Sequence, residues 1–313
     1  PRSTLFPYTT LFRSKYVLLG SPECDVKTQA GTLDRAGTVL VYEVATGRQV
    51  RSLRSATPKG QSLFGASVAV SGNTAYVGEP FFSEGGGAND AGAIHAIDIP
   101  TGRVVWTRVG EVGSRLGSSL AVDGEDIVAG CSQLPGRPDH SGAVLHLHSG
   151  TGALLKAYGL QMPASFDSFG KSLAVSRGLA VCGTPGRVVS GKTSQGQVFV
   201  IDLINESIVA TLQAQDGAAF DEFGYGVAIM GRHILVGAPG AMTGGSMNRG
   251  AAYLFSSEAL GFLGKLELPV AETGARQFGT SVALGNHMAV IGGPPTFQDR
   301  KSTRLNSSHL VIS

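Results

Sequence analysis

Long apolar runs are missing from this chain. No stretch of the 313 residues approaches the ~18 consecutive apolar residues that a membrane-crossing helix needs, so no span is expected. Sustained helical periodicity is missing too: no segment keeps a 3.6-residue apolar repeat through three turns. Cysteine is scarce, and Cys24, Cys131 and Cys182 have neither zinc-ligand spacing nor the even number of a disulfide framework. Small buried thiols are expected, with Cys131 and Cys182 at near-equivalent repeat positions where they could be neighbours. Charge is sparse at 15%, but 42% of residues are hydrophobic. A chain with that balance has ample core material and is not disordered.

The two ends differ in style from everything between them. Leu11–Ser14 reads as the translation of CTC TTC CGA TCT, and Lys301 through His309 as that of a second sequencing-adapter string. Residues 1–14 and 299–313 are therefore expected to be adapter-derived and are set aside from fold reasoning, leaving 284 residues. The formal charge of the whole chain is +2. The ends hold Arg2, Arg13, Arg300, Lys301 and Arg304 against Asp299, so the remainder has 20 basic and 22 acidic residues, net −2. No basic footprint remains for nucleic acid.

What the chain has in excess is glycine, 45 residues, about twice the usual ~7%. The glycines fall in a repeat. Phe64, Leu116, Phe169, Phe223 and Phe278 open successive units at spacings of 52, 53, 54 and 55, and fourteen residues after each stands Gly78, Gly130, Gly183, Gly237 or Gly292. A proline follows two later at Pro80, Pro185, Pro239 and Pro294, with Ser132 in the remaining unit. "YVLLGSP" preserves part of an earlier unit. Inside each unit two short β-branched runs flank a tight Gly/Asn turn, as in "SVAVSGNTAYVG". A third run follows a glycine ("GAIHAIDI", "GQVFVIDL"), and a fourth follows a turn ("VVWTR", "IVATL").

Four antiparallel strands per unit of about fifty residues predict an all-β fold, a β-propeller of four-stranded blades. Such a sheet cannot cover its own faces, so neighbours must cover one another. The units are expected at 15–63 (partial), 64–115, 116–168, 169–222, 223–277 and 278–298 (partial). The first begins at strand two and the last supplies strands one and two, so they are not complementary halves and at least six blades are expected. "DEFGYGVAIMGRHILVGAPG" with "NRGAAYLF" resembles the FG-GAP repeat, the blade of the integrin α-subunit propeller and of many bacterial exported proteins. The resemblance covers 15–298. It implies seven blades, a cell-surface, extracellular or periplasmic location, and adhesion or binding.

Chemistry-bearing motifs are few. The resemblance implies calcium in turns between strands one and two, but "SGNT", "DGED", "SRG", "MGRH" and "GNH" are too short and acid-poor for an oxygen cage. Only Asp123, Glu125 and Asp126 cluster, and no metal is expected. "GRVVSGKT", residues 186–193, satisfies the P-loop expression but precedes a strand and not the helix that phosphate binding requires. "AIDIPTGRVVW" is similar to a quinoprotein tryptophan-docking repeat. It occurs once, with Trp106, and blade packing is the expectation. His146 and His148 lie two apart on one strand, a weak metal signal without further ligands. Asn205-Glu206-Ser207 is a glycosylation sequon of the kind that arises by chance. No catalytic set emerges and no cofactor is expected.

In a meandering blade, turns one-to-two and three-to-four share one end, and loops two-to-three and four-to-one share the other. The second set contains the long unequal segments "FFSEGGGAND", "SQLPGRPDH", "PGRVVSGKTS" and "GAMTGGSMN", plus "ASFDS" and "AAFDE". Loops of this kind on a rigid frame are where recognition is built. Candidate contacts to a protein or glycan ligand are Glu84, Asn89, Asp90, Arg137, Asp139, His140, Arg187, Lys192, Asn248 and Arg249. The alternatives are a quinoprotein-like or other propeller enzyme with its site at the axis, or a scaffold beside a separate catalytic domain.

Overall fold

The computed structural model describes residues 15–85, 89–132, 136–245, 247–269, 276–285, 288–294 and 309–312, the last as backbone. Among them are strands and turns and no helix. The chain divides at Pro163/Ala164 into two compact units.

In the first unit, β1 (Tyr16–Ser21) leads through a small hairpin, β2 (Val26–Thr28) and β3 (Gly31–Leu33), into β4 (Thr38–Glu43) and β5 (Gln49–Leu53). β1, β4 and β5 form one sheet, as expected of a unit entered at strand two. The next sheet is β6 (Ser67–Ser71), β7 (Thr74–Glu79), β8 (Ala93–Asp98) and β9 (Val104–Val109). The third is β10 (Ser119–Asp123), β11 (Asp126–Cys131), β12 (Ala143–His148) and β13 (Leu154–Tyr158).

The second unit repeats the plan. One sheet is β14 (Leu173–Ser176), β15 (Leu179–Thr184), β16 (Gln197–Asp202) and β17 (Ser207–Leu212). The next is β18 (Gly226–Met230), β19 (His233–Ala238), β20 (Ala251–Ser256) and β21 (Phe262–Leu266). Last come β22 (Ser281–Leu284), β23 (Ala289–Gly292) and β24 (His309–Ile312).

Every sheet is an antiparallel meander in chain order. The first hairpin of each complete blade closes on two residues: Ser71 pairs with Thr74, Asp123 with Asp126, Ser176 with Leu179 and Met230 with His233. Arg177 and Gly178, at φ of 53° and 75°, have the paired left-handed conformations that match strand twist in such turns.

The fold class follows from how the sheets cover one another. Val68, Val70, Ala75 and Val77 of β6 and β7 pack against Leu18, Val39 and Val41 of the preceding sheet. Their intervening neighbours Ala69 and Tyr76 pack the other way, with Ile127 and Ala129 of the following sheet. The second unit does the same. Val227, Ile229, Ile234 and Val236 meet Val181, Val198 and Val200, while Ala228 and Leu235 meet Phe278, Leu284 and Ile291. Period-two alternation therefore carries two apolar faces per sheet, one for each neighbour. This is the packing of propeller blades, and the all-β propeller class stands.

The repeat signature marks the seam between blades. Phe64, Phe223 and Phe278 are fully buried against the strands of the preceding blade, and Gly37, Gly196 and Gly250 bridge to them. The glycine after each phenylalanine donates its N–H to the Gly-x-Pro carbonyl of its own blade: Gly65 to Gly78 (2.9 Å), Gly224 to Gly237 (3.0 Å), Gly279 to Gly292 (3.1 Å). Its own carbonyl lies against the bare Cα of the preceding blade's Gly-x-Pro glycine. A Cβ on Gly78 would fall closer than 3.0 Å to the Gly117 carbonyl, one on Gly183 to that of Gly224, and one on Gly237 to that of Gly279. The prolines follow strands that have just ended, at Glu79, Thr184 and Ala238. Where Ser132 replaces proline, its free N–H donates to the Ser114 carbonyl (2.7 Å).

Two features depart from the sequence expectation. Residues 309–312, set aside with the tail, run as a strand beside β23, pairing Gly292 with His309 and Ala289 with Ile312. The physical reason is the open edge of the β22–β23 hairpin, which offers a ladder to any β-prone run such as Leu310-Val311-Ile312. The remaining tail residues, and 1–14, lie outside the described residues. The second departure is a one-residue bulge in every three-to-four hairpin. Ala96 pairs with Trp106 and Ile97 with Val104, leaving Val105 over; Leu155, Val209 and Leu263 are left over likewise. Bulges twist an edge strand away from further pairing.

Burial sorts the cysteines, and all three are free. Loss of hydration pushes the Cys131 thiol up to about 12, helped by Glu111, and raises that of Cys182 still further. The thiolate is the nucleophile, so iodoacetamide at pH 8 should label one thiol per native chain, the exposed Cys24. Mass spectrometry should find three labels after denaturation.

Candidate functional site

The two-to-three and four-to-one connections interleave at one end of each blade. In the first unit the loop 110–116 is held by the Asn89 and Asp90 carbonyls, which accept from Gly113 (2.7 Å) and Arg115 (3.0 Å). Its Ser114 carbonyl accepts from Ser132 of the next two-to-three loop. In the second unit the loop 213–222 donates from Phe220 to the Thr193 carbonyl (2.8 Å) and from Glu222 to that of Ser194 (2.9 Å). Its Asp221 carbonyl accepts from Gly240 (3.1 Å). Each loop is thus clamped by its neighbours, and the opposite end carries the two-residue hairpin turns.

The candidate residues divide by what their side chains touch. Glu84, Asp139 and Asn248 are exposed. Asn89 and Asp90 are half-buried, their N–H groups donating to Ser83 Oγ, and Asp90 pairs with Arg115 at 3.2 Å. His140 is half-buried in a left-handed conformation. Arg137 donates to the Leu160 carbonyl (3.0 Å) and Lys192 Nζ to that of Gly217 (2.6 Å), each tying a two-to-three loop to a four-to-one loop. Arg187 Nη1 meets the buried Asp167 carboxylate at 2.5 Å. Arg249 is 6% exposed and donates to the Leu268 and Pro269 carbonyls. Its charge serves the loop from inside, because the carbonyls leaving β21 turn toward it. Gly86–Ala88 and Gln133–Pro135 in the same loops lie outside the described residues.

Sequence reasoning overlooked two aromatic side chains on this end. Phe166 and Phe220, three residues before the repeat phenylalanines, are 64% and 63% exposed, and both have φ of 67°. A bulky residue at positive φ is a genuine outlier. The equivalent position holds Gln61 at 62° and Gly113 at 77°, so the backbone conformation belongs to the loop and the phenylalanine is a local choice. The signal in the sequence was an additional phenylalanine, in Phe-Asp, just upstream of the repeat Phe-Gly in "ASFDS" and "AAFDE". Also missed was the β2–β3 hairpin, whose two-residue turn stands exposed in the first two-to-three loop.

The remaining motifs resolve into structural roles. Val189 and Lys192 bridge antiparallel inside 186–193, a tight hairpin with no helix for phosphate. His146 Nε2 lies 2.8 Å from Asp126 Oδ1 and is buried, whereas His148 Nδ1 accepts from Gly150 in the following turn (3.1 Å). No group of three or more His, Cys, Asp and Glu positioned for a metal occurs among the described residues. Trp106 Nε1 donates to the Ser149 carbonyl (2.9 Å) and its ring lies over Gly152, so it packs one blade on the next. Arg51 repeats that docking one blade earlier, reaching the Pro100 carbonyl beside Gly102. Asn205 is exposed in its turn, with Nδ2 donating to Asp202 (2.7 Å).

No helix among the described residues is long and apolar enough to cross a membrane. No curated protein matches the chain. Residues 207–255 match the family model described as FG-GAP repeat, a span running from β17 through β20 and holding Phe223-Gly224 and Gly237-Ala238-Pro239. The chain carries an FG-GAP repeat, set in an all-β array of four-stranded antiparallel propeller blades.

Proposed function

We propose that this chain is a non-enzymatic binding or adhesion module that recognises a protein or glycan, outside the cell or in the periplasm, through its two-to-three and four-to-one loops. One observation carries the reading: long, unequal loops are clamped rigid at one end of the blades, whereas the other end has two-residue turns. Preorganised loops lose little entropy on binding, and loops on a rigid scaffold are the usual seat of recognition. FG-GAP propellers commonly occur in adhesion and binding proteins, which supports the same class.

The test uses immobilised panels of extracellular proteins and of glycans, with binders measured by interferometry. Glu84→Ala, Asp139→Ala or Asn248→Ala is expected to weaken a binder at least about tenfold, as a contact worth ~1.4 kcal/mol would, with no change in melting temperature. Asn73→Ala, Glu125→Ala and Arg232→Ala, in the two-residue turns, should leave affinity intact. Equal losses from both sets would refute the loop-end assignment.

A further inference from the structure

We propose that the outer edge of β23 is a strand-accepting site, built for an extended protein segment with bulky apolar residues at two alternate positions, and that residues 309–312 fill it as an exchangeable occupant. The site does not depend on the loop-end assignment. Register points to it first. Gly292 pairs with His309 as Gly130 pairs with Val144 and Gly237 with Ala252. Ala289 pairs with Ile312 as Ile127 pairs with Leu147 and Ile234 with Phe255. A tail without the repeat signature thus lies in the register of a blade's own third strand. A slip of one residue would exchange the two faces of the strand, so the hairpin selects one alignment and does more than offer hydrogen bonds.

The chemistry of the paired positions agrees. Residues directly opposite in an antiparallel pair share a face. Ile291 and Ala289 are buried with Leu235, Ala252 and Phe278 in the seam with the preceding blade, so whatever stands opposite them falls on that face. Complete blades fill those two positions with large apolar side chains. Leu145 and Leu147 do so in one blade, Tyr253 and Phe255 in another, all four buried in the seam with the blade before. At β23 the same positions belong to Leu310 and Ile312. The edge is also unguarded. β23 carries neither charge nor proline, and its ladder with β24 runs without the bulge of β8–β9, β12–β13, β16–β17 and β20–β21. A flat, uncharged edge is a template for an added strand, held by the main-chain bonding of β-augmentation. Fourteen residues separate Pro294 from His309, a short tether that holds the tail at about millimolar effective concentration. An outside strand must therefore outcompete the tail or find it displaced.

The probe is a fluorescein-labelled peptide of residues Gly250–Ser256, the third strand of the preceding blade, with a short lysine tail for solubility. Leu310→Pro/Val311→Pro in the full chain removes two neighbouring N–H groups, one of which the alternating ladder uses, and so frees the edge. Anisotropy should show the peptide binding this variant at least tenfold more tightly than the parent. The peptide bearing Tyr253→Asp/Phe255→Asp should bind at least tenfold more weakly than the unaltered one. Hydrogen exchange should find alternate amides of Ala289–Gly292 protected in the parent, open in the variant and protected again by the peptide. Equal binding to parent and variant, no binding to the variant, or binding without renewed protection at β23 would overturn the proposal. If the variant unfolds, the parent decides: millimolar peptide should speed exchange at 309–312 while β23 stays protected, and unchanged exchange there overturns the proposal. Asp139→Ala in the loops should alter peptide affinity less than twofold; a tenfold loss would place the peptide at the loop end and overturn the edge site while leaving the loop-end reading standing.

Discussion

Gly237→Ala is expected to destabilise the chain by about 3 kcal/mol or more, at the upper end of what overpacking costs. Gly237 is not at positive φ, so conformational freedom is not the issue. Its Cα lies under the Gly279 carbonyl of the next blade, and an added methyl would sit closer than 3.0 Å to both the carbonyl oxygen and the carbonyl carbon of Gly279. Backbone held in a ladder cannot move aside as a flexible side chain could. The Gly279 N–H donates to the Gly292 carbonyl (3.1 Å), so displacing it also disturbs the next hairpin. Gly183→Ala, under the Gly224 carbonyl, should behave alike. Gly264→Ala is the control: on the outer strand β21, with open space around it, it should change stability by under about 1 kcal/mol, in the stabilising direction. Urea denaturation of the three variants checks this, and similar midpoints for Gly237→Ala and Gly264→Ala would remove the seam argument.

His95→Ala should cost a comparable amount, about 3 kcal/mol, for a different reason. Glu79 is fully buried at the middle position of its Gly-x-Pro, where other blades place Cys131, Thr184 or Ala238. Its Oε2 meets His95 Nε2 at 2.8 Å and accepts from Ser55 Oγ at 2.9 Å, and His95 Nδ1 contacts Thr107 Oγ1 at 3.0 Å. The imidazole is flanked by Phe64 and Phe82, with ring centroids at 5.6 and 5.8 Å. Removing it leaves the carboxyl among aromatic rings with one hydroxyl for company. Breaking one side of a buried polar pair is expensive because the other side stays desolvated. The double variant Glu79→Ala/His95→Leu removes both groups and installs the alanine that the 237–239 blade uses there. It should lie within about 1–2 kcal/mol of the parent, since an apolar replacement of a buried pair is close to neutral. A double-mutant cycle through Glu79→Ala, His95→Leu and the double variant, by urea denaturation, reads the coupling; additive losses would mean the two groups do not depend on each other.

Much of this was legible before any coordinates. The spacing of Phe64, Phe223 and Phe278 against Gly78, Gly237 and Gly292 reflects a seam that recurs from blade to blade within each unit, and recurrence leaves a period in the chain. Alternation within "SVAVSGNTAYVG" was readable because strand geometry sends successive side chains to opposite faces. The end of the blade on which long loops gather followed from meander topology. What each candidate side chain bonds did not follow. Lys192, Arg187, Arg137 and Arg249 were expected among the ligand contacts because charged loop residues usually face water, as Arg137 and Lys192 do. Their partners are carbonyls or a carboxylate about twenty residues away on another loop, and no local pattern encodes that distance.

Sequence alone determined the strand content, the four-strand unit, the mutual covering of blades and the places that must be glycine, since all of these are set by local geometry repeated many times. Tertiary structure alone decided that Phe166 and Phe220 point outward from left-handed backbone, that Glu79 finds His95 across a ladder, and that a tail strand occupies the open edge of β23. Those are single contacts between elements, unrepeated along the chain, and their energies depend on which groups packing happens to bring within hydrogen-bonding reach.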